Sequence, residues 1–303
     1  MTAVESPTSL AAEGTHGGAF TAKDWVLLIV PSIVWGASFI LIEEALNGGM
    51  KPGLVTWLRI TCGFVALSLV PAARGRIERR DLGRVLAVSI TWLAFPMTLF
   101  PLAQRDVSPS VAGMLNGGIP IFATLFTSLL LRRLPHRMQL FGIAVGVIGV
   151  VLIGFPTFSE SSSSAAGIAM IMIAVVSYGI AITLNVPLVQ RYGALVLFRY
   201  ALGMSAILTL PIALFAVGDS VVTLRASIAM VLLGVGGTAV AFVCMSTLSG
   251  RVGGTRASII TYVEAVIALG LGVWWSNDHV EAIQLVGCAT LLFGAWLATR
   301  AER

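Results

Sequence analysis

Apolar runs of about twenty residues follow one another from Trp25 almost to the end of the chain, separated by short polar or turn-forming stretches. A helix needs roughly 20 mostly apolar residues to cross a hydrocarbon core. The pattern therefore predicts ten membrane-spanning helices, near 25–43, 53–71, 84–104, 107–131, 138–155, 166–189, 193–217, 225–248, 253–275 and 281–299. Where two runs almost touch, Pro52-Gly53, Ser108-Pro109, Tyr192-Gly193 and Gly253-Gly254 supply the turn signals that divide them. Residues 1–23 are small and polar, without the apolar core of a cleavable signal, and are expected to form a disordered cytoplasmic tail.

The second half of the pattern repeats the first. QLFGIAVGVIGVVL from Gln139 matches QLVGCATLLFGAWL from Gln284 at Gln139/Gln284, Leu140/Leu285, Gly142/Gly287, Ala144/Ala289, Gly149/Gly294 and Leu152/Leu297. Arg59, Gly63, Ala66 and Pro71 match Arg199, Gly203, Ala206 and Pro211 at an offset of 140. Coincidences of Leu, Ala and Gly are cheap in an apolar chain, whereas those of Arg, Gln and Pro are not. The expected units are a first repeat over 24–155, a linker over 156–166 and a second repeat over 167–300. With five spans each, the second repeat enters the membrane from the opposite side. The fold class is thus an all-α integral membrane protein of ten transmembrane helices in two inverted five-helix repeats. Inverted repeats mark secondary transporters, whose substrate site lies where the repeats meet. The linker, with its serine run, reads as a flexible outer loop.

Composition agrees that lipid is the solvent. Hydrophobic residues make up 57% of the chain and charged ones 11%, against about one quarter charged in a soluble domain. The sequence pI near 9.6 does not point to nucleic acid, because the arginines sit in short clusters between spans rather than along a helical stripe. With the N-terminus inside, fourteen of the 19 Lys and Arg fall in cytoplasmic segments and three, Lys51, Arg105 and Arg225, in outer loops. That asymmetry is the one lipid bilayers select, and it puts both termini in the cytoplasm. Cys62, Cys244 and Cys288 all lie within apolar runs and read as small buried hydrophobes rather than a disulfide framework.

The landmarks in order are Trp35-Gly36-Ala37-Ser38-Phe39 in the first span, Arg59 in the second, Ala112 through Pro120 in the fourth, Tyr178-Gly179 in the sixth, Arg199 in the seventh and Ala257 through Ala265 in the ninth. In this the chain resembles the ten-helix EamA-like drug/metabolite transporters, including those of the aromatic amino acid exporter type, over residues 25–299. The resemblance implies a bacterial inner-membrane carrier that exports small metabolites, often amino acids, by alternating access and without a cofactor. Ala265 stands where the family has proline, although Pro120 keeps it in the first repeat. The ninth span is therefore expected to be straighter there.

Ionisable groups at membrane depth usually face a cavity or a partner. Glu264, about eleven residues into the ninth span, sits near the midplane and is the candidate for exchanging a proton against substrate. Arg59 and Arg199 are repeat mates a turn and a half inside their spans, expected to meet carboxylates at the two cavity mouths, with Glu43 and Glu44 in reach of Arg59. Trp35, Phe39 and Glu43 share one face of the first span with Ser38 beside them, as Tyr178 and Asn185 share a face of the sixth. Asn116, Gly117 and Gly118 interrupt the fourth span, and loosened backbone at that depth suits a cavity wall. Thr261, the mate of Asn116, Thr98 between two prolines, Trp92 and Tyr262 complete the candidate binding set. Spans 1, 3, 4, 6, 8 and 9 are expected to line the site, with 5 and 10 peripheral. Gly142 and Gly146 form a GxxxG pair suited to close packing within the chain or between subunits of a weak homodimer.

Chemistry of other classes finds no support. His16, His136 and His279 lie in the tail or loops, and no span holds spaced metal ligands or a nucleophile–base pair. No phosphate-binding loop points to an ATP-driven pump. An amino-acid zwitterion matches the candidate donors and acceptors, and the aromatic residues suit a large apolar side chain. Uptake or exchange of a sugar or a nucleotide precursor is the alternative.

Overall fold

The computed structural model describes residues 18–130, 137–160 and 162–300. Ten apolar helices follow in order: α1 (Ala22–Asn47), α2 (Pro52–Ser68), α3 (Arg79–Ala103), α4 (Pro109–Leu129), α5 (Arg137–Pro156), α6 (Ser164–Tyr192), α7 (Ala194–Val217), α8 (Leu224–Val252), α9 (Gly254–Trp275) and α10 (Ala282–Thr299). Among the described residues nine are long and apolar enough to cross a membrane, and α2 is a shorter apolar helix. Large side chains such as Phe215, Leu224 and Trp274 lie exposed on the outside, as a lipid-facing surface requires.

Local sequence fixes the ends. Thr21 caps α1 in a reciprocal box with Asp24, each backbone amide donating to the other's side chain. Pro52 and Pro109 open α2 and α4 at positions where the missing N–H costs nothing. Gly193 and Gly253 start α7 and α9 at φ 75° and 86°, ψ 154°, a region other residues avoid.

Helix pairings obey the inverted repeat. α5 packs on α10 and α2 on α7, each helix meeting its own mate; α1 lies on α9 as α6 lies on α4, and α2 on α8 as α7 on α3. Gly36 and Gly179 serve the equivalent approaches. A Cβ on Gly36 would stand 2.5 Å from Ile267, and one on Gly179 2.6 Å from Phe122. The GxxxG pair is used inside the chain. Gly142 faces Gly294 of α10, Gly149 faces Gly287, and Gly146 packs against Ile121 of α4.

Several expectations need correction. The serine-rich linker is helical: α5 continues to Glu160, and the helix of α6 begins at Ser162. No Pro or Gly stands between Pro156 and Gly167 to stop it. Residues 1–17 of the expected tail lie outside the described residues, as do His16 and His136. The last part of that tail is held, because Arg256 donates to the Gly18 carbonyl and lies over the Phe20 ring. The ninth helix is continuous through Ala265, running unbroken from Ile260 to Trp275, and its interruption comes nearly two turns earlier at Ser258–Ile259. In α4 the interruption falls at Gly117–Gly118, as expected.

A symmetry absent from the hydropathy pattern lies in α3 and α8. Ser89–Ala94 and Leu233–Val240 are wound as π-helix, and their starts are 144 residues apart. The amide of Phe95 bonds to the carbonyl of Ile90, and that of Ala241 to Gly236, each five residues back. Such segments release carbonyls from the regular ladder and concentrate at functional sites.

Candidate functional site

Six helices converge on a cavity at the centre of the bundle. The space between its atoms, solvent at the mouth included, is about 510 Å³. α1 contributes Trp35, Ser38 and Phe39, α3 contributes Trp92 and Phe100, α4 Asn116, α6 Tyr178, α8 Phe242 and Met245, and α9 Thr261 and Glu264. A seventh helix, α2, adds Arg59. α5 and α10 add nothing to the lining.

The wall is a nearly continuous set of aromatic rings. Phe242 stands edge-on to Trp35 and Trp92, with centroids 5.0 and 5.5 Å away. Across the cavity Phe100 stacks on Tyr178 at 6.0 Å and tilts against Phe39 at 5.7 Å. The π-wound segments hold these rings in place. The Trp35 indole N–H donates to the carbonyl of Gly237 at 2.8 Å, and Ser177 of α6 donates to the carbonyl of Thr91 of α3 at 2.7 Å. Trp35 thus offers substrate its ring face and not its N–H.

Two ionisable side chains interrupt this apolar wall. Glu264 is 1% exposed. Its Oε1 accepts from Asn116 Nδ2 at 2.6 Å, while its Oε2 has no hydrogen-bond partner among the described residues. The helix interruptions beside Asn116 and Thr261 bring these groups together. Amides of Gly117 and Gly118 fold back three residues, to Met114 and Leu115, and those of Thr261 and Tyr262 do the same to Ser258 and Ile259. Arg59 is 5% exposed, and its Nε donates to Thr238 Oγ1 at 3.4 Å. Thr238 in turn donates to the Leu233 carbonyl within the π-wound segment of α8.

Of the expected binding residues, Trp35, Ser38, Phe39, Trp92, Asn116, Tyr178 and Thr261 line the cavity, as do Glu264 and Arg59 from the expected coupling set. Six others do not. Thr98 bonds back to its own helix at Ala94, and Gly117 packs toward Leu292 of α10. Asn185, fully buried, accepts from Ser246 and ties α6 to α8, while the Tyr262 hydroxyl is buried without a hydrogen-bond partner among the described residues. Glu43 accepts from Ser276, and Arg199 donates to the Ala73 carbonyl at 2.8 Å with its guanidinium over Tyr200. Neither Glu43 nor Glu44 meets Arg59. Glu44 pairs instead with Arg225 at 2.6 Å and accepts from Trp275. The reason is position: Arg59 lines the central cavity and donates to Thr238, whereas both carboxylates sit near the end of α1, bonded to Ser276, Arg225 and Trp275. Phe100, Phe242, Met245 and the aliphatic Ile42, Ile119 and Ile182 were not foreseen as lining residues. Nothing distinguishes them from packing residues in an apolar run.

Polar contacts close the bundle at both ends. Where α1 begins, Arg251 of α8 pairs with the buried Asp24 at 2.6 Å, and Asp81 takes Arg191 at 2.9 Å and the Tyr192 hydroxyl at 2.6 Å. At the other end, beside the Glu44–Arg225 pair, the amide of Ser110 donates to Asp278 at 2.8 Å.

The chain matches the profile of the EamA-like transporter family over residues 24–155 and again over 165–300. It belongs to that family. The protein is therefore a multi-pass membrane transporter. Similar proteins include an uncharacterized transporter of Archaeoglobus fulgidus, 23% identical over 92% of this chain and 99% of its own length. The uncharacterized inner membrane transporter YedA of Escherichia coli K12 is 23% identical over 88% of this chain and 87% of its own. A probable amino-acid metabolite efflux pump of Salmonella typhimurium LT2 is 21% identical over 91% and 94%. One solved crystal structure shares the fold, with a TM-score of 0.66 at 18% identity, over 93% of this EamA-like transporter and 99% of that chain.

Proposed function

We propose that this EamA-like transporter exports neutral amino acids with apolar or aromatic side chains across the cell inner membrane. The observation that carries the reading is Glu264 Oε2, a buried carboxylate oxygen without a partner among the described residues, in a cavity walled largely by aromatic and aliphatic side chains. A substrate ammonium satisfies that oxygen, and the rings take the side chain. A proton satisfies it equally, so proton and substrate compete for one atom, and their exchange drives export. The printed name of the Salmonella relative points the same way. Alternating access follows from the two repeats, 24–155 and 167–300, exchanging their conformations about the cavity.

Counterflow in proteoliposomes with a labelled amino-acid panel tests the reading. Phenylalanine, leucine or methionine is expected to exchange, while glucose and uridine do not. A panel in which no amino acid exchanges removes it.

The arginine distribution sets the orientation, with both termini cytoplasmic. In a background lacking the three native cysteines, Lys51→Cys is expected to react with an impermeant maleimide added outside intact cells, and Arg76→Cys only after lysis. The reverse pattern overturns the topology.

A further inference from the structure

Two ionisable groups of opposite sign share the central cavity without meeting each other. Among the described residues no carboxylate lies within ion-pair distance of Arg59. Its Nε is occupied by Thr238, and Nη1 and Nη2 have no acceptor among the described residues. Glu264 likewise has one oxygen satisfied by Asn116 and one without a partner. Both side chains are more than nine-tenths buried, and both line the same aromatic-walled space. Tyr178 lines the same cavity as both. Holding a buried guanidinium and a buried carboxylate apart is costly whenever both are ionised, since neither has a counter-charge. The cost falls when a single ligand carries the two complementary charges.

We infer that Arg59 is the carboxylate anchor of the substrate site, and that Arg59 and Glu264 together select amino-acid zwitterions over molecules bearing only the amine or only the acid. This rests on the amino-acid reading above and assigns Arg59 a role within it. With Nε held, a guanidinium offers its two terminal nitrogens end-on, a fork that matches the two oxygens of a carboxylate. The substrate ammonium then lies toward Glu264 Oε2 and the side chain against Trp35, Trp92 and Phe242. An amine alone leaves the guanidinium unpaired and an acid alone leaves the carboxylate unpaired, so each mono-ion is rejected by the group it fails to satisfy. Thr238 is the positioning residue, because it fixes which edge of Arg59 faces the cavity.

The test is competition against labelled phenylalanine counterflow, using purified full-length protein in liposomes and three unlabelled probes: phenylalanine, 2-phenylethylamine and 3-phenylpropionate. Wild type is expected to be inhibited by phenylalanine at least tenfold more effectively than by either mono-ion. Arg59→Gln is expected to bind phenylalanine at least tenfold more weakly, read by ligand-induced thermal stabilisation, while 2-phenylethylamine binds as well as or better than in wild type. Unchanged phenylalanine binding by Arg59→Gln overturns the assignment. So does wild-type inhibition by 2-phenylethylamine equal to that by phenylalanine, a result that stands even if the variant does not fold. Absence of exchange for every amino acid by wild type removes the amino-acid reading, and this inference with it. Exchange of amino acids with no discrimination by Arg59 removes the inference alone.

Discussion

Glu264→Gln is expected to abolish accumulation driven by a pH gradient while leaving exchange in place. In wild type, an imposed gradient should move labelled substrate toward the acid compartment, because each proton that runs down its gradient displaces a substrate in the opposite direction. Such a carrier also draws on the membrane potential, worth about 2.3 kcal/mol per charge for each 100 mV. Glutamine keeps the size of the side chain and can still accept a hydrogen bond, but it binds no proton. It also gives up a charge-assisted bond to the substrate ammonium, a loss of about 1.5–3 kcal/mol. Counterflow should therefore persist only at raised substrate concentration, with apparent affinity weakened about tenfold or more, and its rate should no longer respond to the gradient. Equal, gradient-independent transport by wild type and variant would show facilitated diffusion and end the coupling proposal.

Gly149→Leu is expected to prevent assembly of the bundle. A Cβ at Gly149 would stand 2.7 Å from the Gly287 carbonyl oxygen of α10, with the backbone nitrogen of Leu291 closer still. At Gly142 the distances to backbone are 2.5 Å to Ala298 N and 2.6 Å to Gly294 O. These neighbours are main chain, which has no rotamer to change, so the helices must separate. Lipid gives no hydrophobic reason for helices to associate, and close packing is what holds such pairs. Overpacking alone costs about 1–3 kcal/mol, and more where backbone must shift. The measurement is the monodisperse fraction after solubilisation, with Gly270→Ala as the control. Gly270 is also helical, but nothing lies within 4 Å of its added Cβ. That variant should be as stable as wild type or gain up to about 1 kcal/mol of helix propensity. Equal yields of Gly149→Leu and Gly270→Ala would show that the α5–α10 contact does not support the fold.

Architecture was legible wherever it is written in hydropathy or in turn chemistry. Spans and breaks at Pro52, Pro109, Gly193 and Gly253 follow from solvent exclusion and from backbone angles, and both are local properties. Internal duplication added the two five-helix repeats, since Gln139/Gln284 and Arg59/Arg199 establish the offset. Polar residues at depth were visible for the same reason: Asn116, Thr261 and Glu264 are conspicuous against aliphatic neighbours. What sequence did not separate was a polar group that faces a cavity from one satisfied by the next helix. Asn185 and Asn116 look alike as residues, yet one is bound by Ser246 and the other by Glu264. Phe242 stayed hidden because an aromatic ring in an apolar run has the same hydropathy whether it packs or lines a void. The π-wound turns escaped because changing a hydrogen-bond partner from four to five residues back leaves composition untouched. Arg59 was expected at a mouth beside carboxylates, and the structure instead sets it in the cavity wall beside Thr238, a placement that residue spacing does not encode.

The α5–α10 contact has one further property. Gly142 is the repeat mate of Gly287, and Gly149 of Gly294; the observed contacts are Gly142 with Gly294 and Gly149 with Gly287. Exchanging the two halves returns the same interface, so the surface is complementary to itself about a two-fold axis, as in an isologous dimer. A single half inserted in both orientations would meet its twin through these rungs and need no second surface to do so. Joining the halves in one chain then contributes effective concentration and a fixed one-to-one ratio rather than a new contact.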